Sequence, residues 1–357
     1  MTATVKRVAK RLVAQGVVRS GWWEVASRAW ARRGTTFVLT YHRVLEKWEP
    51  IPDYSQPGMV VTRATFERQL SFLERRFDVV PLGALLDDAA ATPTRRPRCV
   101  ITFDDGWRDN YELAFPLIRK HNLPATIFLT TDFIGTERAF WHTELIYLLL
   151  NCPRAVAEAA ERSAMPPEVQ ERLRACAAAG GVSGAAAVDA LIERLKAACD
   201  EPVIAELVET LLRTAGLRRP LVPERRFFLD WNQVRDMAAH GFEIGSHGCT
   251  HRIMTRLSRD EARREFVQSK AEIESQVGRT VEHFAFPNED ADQMLVTMAG
   301  QAGYRTVCVG RLEGEAGPSL RTLRRAGMHE GACLDGTTYD DAMLGLWLLR
   351  GPKSVSR

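Results

Sequence analysis

The strongest constraint on this chain is the segment of residues 100–106, which reads Val-Ile-Thr-Phe-Asp-Asp-Gly. An apolar, β-favouring run that ends in charge and glycine predicts a buried strand whose carboxyl end carries Asp104 and Asp105. Adjacent carboxylates repel each other, and bringing them together costs free energy unless a cation or a proton accompanies them. The pair therefore predicts a partner, and a metal ion is the first candidate.

The composition is that of a large globular protein. The 357 residues are 45% hydrophobic, which is enough for one large α/β domain or a domain with an elaboration. The formal net charge of +3 is too small for a dedicated nucleic-acid binder and no recognised module is present, so we predict no nucleic-acid partner. Seven scattered cysteines without a CxxC pair argue against a disulfide framework and against a structural zinc knuckle.

Basic residues concentrate at the N-terminus. Residues 1–33 combine Lys and Arg with apolar residues at helical spacing and with three tryptophans, Trp22, Trp23 and Trp30. We predict a basic amphipathic helical segment that either lies on an anionic membrane surface or packs on the domain with its charges in solvent. No stretch has the apolar length of a signal peptide or a membrane span, so the sequence favours a cytoplasmic protein, with peripheral contact at the inner face of the membrane as an open alternative.

Strands and helices alternate along most of the chain, at a spacing typical of a parallel sheet or barrel. Strands are predicted at residues 36–42, 77–81, 100–103, 125–130, 242–247, 283–287, 304–309 and 320–324. Helices are predicted at residues 65–75, 82–89, 109–120, 231–240, 259–277, 294–302 and 339–349.

The alternation stops after about residue 140, where leucines fall at helical spacing up to about residue 217. We therefore predict a barrel formed by residues 34–140 and 225–335. Residues 141–224 are predicted to form a helical insertion, whose role as a lid, an oligomer face or a substrate wall stays open. A C-terminal helix and tail are predicted at 336–357.

Polar groups follow three of the predicted strands. Asp104 and Asp105 end one strand, His247 ends another and is followed four residues later by His251, and residues 286–288 (Phe-Pro-Asn) end a third. In a parallel barrel the carboxyl ends of all strands face the same way, so these groups are expected to converge. Two neutral imidazoles and one carboxylate suit zinc, with cobalt and nickel as alternatives. One aspartate would then bind the metal while the other stays free.

The chain contains the motifs TFDDG at 102–106, GSHGCTH at 245–251 and FAFPN at 284–288. In order and spacing they resemble the first three motifs of the polysaccharide deacetylase family, the NodB homology domain of carbohydrate esterase family 4. The resemblance covers roughly residues 35–135 and 225–330. It implies a distorted (β/α) barrel and a hydrolase of linear amide bonds that removes the N-acetyl group of an amino sugar. Such a sugar would belong to a glycan or to a lipid-linked or nucleotide-linked glycan precursor.

The resemblance also implies a role for each site residue. The metal would be held by Asp105, His247 and His251, and Asp104 would be the general base. The general acid would be His329, with His42 as the alternative. A backbone N–H near Phe286 would meet the oxyanion, and the acyl site would be lined by Pro287, Asn288 and His42. These roles agree with the chemistry, because a bound metal lowers the pKa of water and a nearby ionised carboxylate accepts its proton.

Two positions depart from the family pattern. Gly248 follows the first metal histidine, where members usually have Ser or Thr, and Glu289 follows Asn288, where many members have Gly. One alternative is therefore a degenerate homologue that binds or scaffolds in glycan biosynthesis. Another is an amidohydrolase that acts on a different acyl group, such as formyl. Retention of all four proposed metal and base residues favours the deacetylase.

Overall fold

The computed structural model describes residues 15–16, 21–47, 49, 52–86, 94–162, 165–179, 185–222, 226–310, 312, 320–335, 338–351 and 354–355. The chain divides into two compact units. One consists of residues 1–46, 58–135 and 228–357, and the other consists of residues 47–57 and 136–227. Most of the predicted N-terminal segment, residues 1–14 and 17–20, lies outside the described residues.

A parallel sheet of eight strands, nearly closed into a barrel, forms the centre of the first unit. In chain order the strands of this unit are β1 Thr35–Tyr41, β2 Arg43–Leu45, β3 Val60–Thr62, β4 Asp78–Val79, β5 Arg98–Phe103, β6 Thr126–Leu129, β7 Glu243–Ser246, β8 His283–Ala285, β9 Thr306–Val309, β10 Arg321–Arg324, β11 Ala326–Gly327, β12 Leu334–Asp335, β13 Thr338–Tyr339 and β14 Ser354–Val355.

The barrel strands run in the order β10-β9-β8-β7-β6-β5-β1-β11, and each neighbouring pair along this path is parallel. The short strand β4 adds to β5 at its beginning. Strands β2 and β3, and strands β12 and β13, form two small separate sheets. The prediction of a distorted (β/α) barrel is confirmed.

Helices flank this sheet, and their ends follow from local sequence signals. Ser258 and Glu261 form a reciprocal capping box at the start of Arg259–Val277, and Gly278 ends that helix with a left-handed φ of +69°. Among the described residues, the α-helices of this unit are Trp22–Arg32, Arg63–Arg76, Phe115–Lys120, Trp231–Ala239, Arg259–Val277, Gln293–Gln301 and Asp341–Arg350.

Two predicted elements differ in detail. The helix predicted over 109–120 begins with a wider π turn, Asn110–Ala114, before Phe115–Lys120 becomes regular, and Pro116 lies at the junction. Because proline has no N–H, it cannot continue the regular bonding pattern there. The predicted C-terminal tail contains strand β14, which pairs antiparallel with the beginning of β1.

The second unit is helical and has a core of its own. Its helices are Trp141–Asn151, Pro153–Arg162, Pro167–Ala179, Ala185–Ala198 and Glu201–Ala215. Fully buried leucines such as Leu145, Leu173 and Leu191 belong to one contiguous apolar cluster within this unit. None of the helices in the described parts of the chain has the length and hydropathy required to cross a membrane.

The helix Trp22–Arg32 packs on the first unit through aromatic rings. Trp23 is only 2% exposed, and its ring meets Trp30, Phe72 and Phe77 edge-on at centroid distances of 5.8, 5.7 and 6.0 Å. The indole of Trp23 is therefore buried in the core of the first unit. Membrane contact by the N-terminal segment stays a prediction that rests on its basic residues.

We expect Trp23→Ala to lower the free energy of unfolding by about 3–5 kcal/mol, because a large buried aromatic side chain leaves a cavity among three rings. Urea denaturation followed by circular dichroism measures this change. Val25→Ala on the same helix is the control; Val25 is 66% exposed, so its loss should stay within about 0.5 kcal/mol. Equal, small effects of both changes would show that the helix does not contribute to the stability of the first unit.

Candidate active site

Two buried carboxylates lie at the carboxyl end of β5. The side chains of Asp104 and Asp105 are only 3% and 1% exposed, and β5 lies within the barrel between β1 and β6. Asp105 and Gly106 both have a left-handed backbone, with φ of +75° and +82°. This conformation is uncommon for a residue with a side chain, costs of order 1–3 kcal/mol and tends to occur at functional sites.

Asp105 meets two histidines that follow strand β7. Its Oδ1 atom is 3.3 Å from Nε2 of His247 and 3.2 Å from Nε2 of His251. One ligand atom from each of the three residues lies within 4.8 Å of the other two. The Oδ1 atom is buried and has no hydrogen-bond donor in the described structure, so a cation would satisfy it.

The protonation of His247 also fits a metal ligand. Its Nδ1 lies 2.7 Å from the carbonyl oxygen of Ala285, which can only accept, so Nδ1 carries a proton and Nε2 is the ring nitrogen left to bind a metal beside Asp105. Two imidazole nitrogens and one carboxylate oxygen form a donor set that suits zinc and related divalent ions. These residues therefore form a possible metal site, as predicted from their spacing.

The second oxygen of Asp105 is fixed by a tryptophan. Nε1 of the buried Trp107 donates to Oδ2 of Asp105 at 2.7 Å. The guanidinium of Arg43 lies 4.4 Å from the centre of the Trp107 ring and forms a buried ion pair with Asp109, with an N–O distance of 2.7 Å. A partner of this kind orients a metal ligand, and it leaves only Oδ1 of Asp105 open toward the histidines.

Asp104 has a different partner, Arg325, whose role the motif comparison missed. Nη1 and Nη2 of Arg325 donate to the two oxygens of Asp104 at 2.7 Å each, and both side chains are buried. Arg325 is the single residue between β10 and β11, the two terminal strands of the barrel path. A buried carboxylate requires a cation, and the adjacent Arg324 and Arg325 at the end of a predicted strand are a sequence signal for one, but the sequence does not say which of the two pairs with Asp104.

The charges around the site determine which form of each acid is present. Burial raises the pKa of Asp104, but the guanidinium of Arg325, together with His247 and His42, outweighs burial and the pKa is lowered. Burial also raises the pKa of Asp105, yet His251 and His247 hold it well below its usual range. Both aspartates are therefore ionised at neutral pH. Arg325 pairs with Asp104 and also with Glu289, whose Oε1 lies 3.2 Å from Nε of Arg325, and Asp105 is the carboxylate that faces the two histidines.

The two histidines considered for the general acid occupy different positions. His42 follows β1, and its Nε2 lies 3.9 Å from Oδ2 of Asp104 with the side chain 28% exposed. His329 follows β11, and its ring meets the edge of Trp347 at 5.2 Å. The structure thus brings His42 toward the paired carboxylates and places His329 against the last helix.

The predicted oxyanion donor is a backbone N–H near Phe286. The backbone N–H of Phe286 donates to the carbonyl oxygen of Cys308 at 3.1 Å, as part of the pairing between neighbouring strands. Pro287 has no N–H. The next backbone N–H in this loop is that of Asn288, which has a left-handed φ of +58°, and the Asn288 side chain donates to Asp290 at 2.7 Å. In this conformation the sheet uses the N–H of Phe286 itself, and an oxyanion contact from another backbone N–H near Phe286 stays a prediction.

A family model described as polysaccharide deacetylase matches residues 91–307, which is more than half of the chain. The chain belongs to the polysaccharide deacetylase family. The predicted family membership is confirmed. A curated relative, the poly-beta-1,6-N-acetyl-D-glucosamine N-deacetylase of Staphylococcus epidermidis, is 29% identical over 115 residues, which are 29% of this chain and 39% of the relative. The chain spans less than two fifths of the length of the curated relatives it matches.

Two solved structures have a similar fold. The deacetylase PplD of Streptococcus pyogenes, solved with acetate, is 14% identical with a TM-score of 0.51, and the match covers 84% of this chain and 94% of PplD. IcaB of Ammonifex degensii is 14% identical with a TM-score of 0.51, covering 88% of this chain and 97% of IcaB. At this identity the likeness concerns the fold alone.

The pairing of Asp104 with Arg325 predicts a pH-dependent loss of stability in Arg325→Met. At pH 7 the variant should lose about 3–5 kcal/mol of unfolding free energy, because it leaves a buried carboxylate unpaired. In the wild type the lowered pKa of Asp104 gives stability that is present above the unfolded-state pKa and is lost as the pH falls through the folded-state pKa. In the variant burial still raises the pKa of Asp104 and only His247 and His42 oppose it, so Asp104 takes up a proton at a higher pH than in the wild type and the deficit should shrink by pH 4.

Urea denaturation at pH 7 and at pH 4 measures both deficits. Arg324→Met is the matched control, because Arg324 is exposed and donates to the carbonyl oxygen of Gly310 at 3.1 Å. A deficit in Arg325→Met that is equal at the two pH values would contradict the proposed pairing.

Proposed function

We propose that this chain is a metal-dependent N-deacetylase that hydrolyses the N-acetyl group of an amino sugar in a glycan or in a lipid-linked or nucleotide-linked glycan precursor. One observation carries the proposal: the two adjacent carboxylates have different partners. Arg325 pairs with Asp104, whereas His247 and His251 approach Asp105. An ionised base beside a two-histidine, one-aspartate metal site is an arrangement that can catalyse amide hydrolysis.

The metal would be held by Asp105, His247 and His251, and the donor set favours zinc over cobalt or nickel as the resident ion. When bound, a divalent ion supplies polarisation of the amide carbonyl and a lower pKa for water. The chain itself supplies the orientation of the ligands. Trp107 fixes Asp105 and the carbonyl of Ala285 fixes His247, so neither side chain has to be ordered when substrate arrives.

Asp104 would act as the general base. Its carboxylate accepts a proton from the attacking water, whose oxygen forms the new bond to the acetyl carbon. Arg325 keeps Asp104 ionised and fixes both of its oxygens, so the base is oriented before the reaction. The C–N bond then breaks, and the amine departs with a proton from a general acid, giving acetate and the free amino sugar.

His42 is favoured over His329 as the proton donor. Its Nε2 lies 3.9 Å from Asp104 Oδ2, and its partial exposure provides access to substrate and to solvent protons. The ring of His329 packs against the ring of Trp347, with the two centroids 5.2 Å apart. We therefore assign the general acid to His42, the alternative in the sequence analysis, and not to His329.

The family and the relative named above support the proposed substrate class. That relative is a poly-beta-1,6-N-acetyl-D-glucosamine N-deacetylase, so β-1,6-linked N-acetylglucosamine oligomers are the first substrates to test. An N-formylated oligomer of the same length tests the alternative that the enzyme removes a different acyl group. A scaffolding homologue would bind the oligomer without releasing any acyl group.

We expect the purified, chelator-treated chain to take up about one zinc ion after dialysis, because three ligands converge on one position. His247→Ala and His251→Ala should each reduce the zinc content to less than about a tenth, since two ligands hold the ion much more weakly than three. Inductively coupled plasma mass spectrometry measures the content. His240→Ala is the control, because His240 is exposed and contacts Asp236. Equal zinc uptake by the site variants and by wild type would overturn the assigned ligands.

We expect mass spectrometry of the oligomer to detect loss of acetyl groups with the zinc-loaded wild type. Asp104→Asn should reduce the rate by about 10²–10⁴-fold while it retains zinc, because an amide cannot accept the proton from water. Asp236→Asn on an exposed helix face should leave the rate unchanged. Zinc-loaded wild type that binds the oligomer without releasing acetate or formate would favour the scaffolding alternative.

A further inference from the structure

We infer that Glu265 is a positioning residue that holds the loop carrying His247 and His251 in its metal-binding shape. The inference rests on the metal-binding function proposed above and extends it to a residue outside the three family motifs. Glu265 lies in the middle of the helix Arg259–Val277 and is 6% exposed. It lies fourteen residues after His251, and sequence spacing alone gives no reason to connect the two.

The carboxylate of Glu265 accepts three hydrogen bonds from the loop. Its Oε2 accepts the backbone N–H of Cys249 at 2.6 Å and that of Thr250 at 3.0 Å. Its Oε1 accepts the hydroxyl of Thr250 at 2.6 Å. All three donors lie between the two histidines, so this one side chain bridges the segment whose shape determines the spacing of the two imidazoles.

The backbone of this loop requires such an anchor. Gly248 has φ of +83° and His251 has φ of +64°, so two of the five residues from His247 to His251 are left-handed. That conformation is readily available to glycine and unfavourable for histidine. Charge-assisted bonds from a buried carboxylate to successive N–H groups offset the unfavourable backbone of His251.

Gly248 and Glu265 also fit one another closely. A Cβ atom at position 248 would lie 2.7 Å from Oε2 of Glu265 and would displace the carboxylate that binds the next two N–H groups. This close approach accounts for glycine at a position where members of the family usually have Ser or Thr. In this chain the carboxylate occupies the space that a larger residue at 248 would need.

The rest of the loop is bonded as well. The carbonyl oxygens of Gly248 and Cys249 accept the N–H groups of Thr131 and Asp132 at 3.1 and 3.0 Å. The N–H of Gly248 donates to the hydroxyl of Ser246 at 3.1 Å. With the loop carbonyls bonded on one side, Glu265 is the group that determines where the N–H groups of Cys249 and Thr250 lie.

The zinc affinity of Glu265→Ala tests this inference, and isothermal titration calorimetry measures it on the full chain. We expect a 10–100-fold loss of affinity, as is typical when a residue that orients metal ligands is removed. Glu265→Gln should stay within about three-fold of wild type, because its amide oxygen still accepts both N–H groups and its amide nitrogen donates to Thr250. Rescue by glutamine separates positioning of the loop from loss of helix packing.

Glu274→Ala is the matched control. Glu274 lies on the same helix and accepts the backbone N–H of Val281 at 2.9 Å, before strand β8 and away from the histidine loop. The Glu274→Ala variant should have a lower melting temperature than wild type, and its zinc affinity should change by no more than about three-fold. Equal zinc affinity in Glu265→Ala and Glu274→Ala would overturn the inference.

Gly248→Ala provides the test if Glu265→Ala does not fold. The added methyl group would displace the Glu265 carboxylate, so an affinity loss of about ten-fold or more is expected, and wild-type affinity in this variant would also overturn the inference. Failure of the proposed metal site is distinguishable, because in that case the wild type itself would bind no zinc.

Discussion

The salt bridge between Arg325 and Asp104 is the interaction on which both the barrel and the proposed site depend. Arg325 is the only residue between β10 and β11, which lie at opposite ends of the eight-strand path, and its guanidinium reaches Asp104 at the end of β5. Removing either partner would leave a buried charge uncompensated, at a cost of about 3–5 kcal/mol. The same ion pair therefore links the two ends of the barrel path to β5 and keeps the proposed base ionised.

This salt bridge also allows two adjacent carboxylates to have different functions. Without separate partners, Asp104 and Asp105 would repel each other and one would take up a proton. Arg325 offsets Asp104 with a fixed charge that is always present, whereas Asp105 faces two imidazoles that suit an exchangeable metal ion. The contrast in partner chemistry supports the proposal of Asp104 as base and Asp105 as ligand.

The site is oriented by groups that lie outside the catalytic motifs. Trp107 fixes one oxygen of Asp105, and Glu265 binds the backbone between the two histidines from a separate helix. Because of these contacts, the entropy cost of ordering the site residues is met when the protein folds, before any substrate binds. The helical unit has an apolar core of its own, and its lid, oligomer or substrate-wall role stays open.

The sequence by itself determined the parallel barrel and the possible metal site. The alternation of strands and helices is a local pattern, and metal-binding residue types such as Asp105 and His247 can be recognised at the predicted strand ends. Only the tertiary structure decided that Arg325 pairs with Asp104, that Glu265 binds the histidine loop, and that the Phe286 N–H is used by Cys308. It also placed the imidazole of His42 3.9 Å from Asp104. The physical reason is that these contacts join residues far apart in the chain, and no local period or propensity records which of several arginines, glutamates or histidines the closing barrel brings to the site.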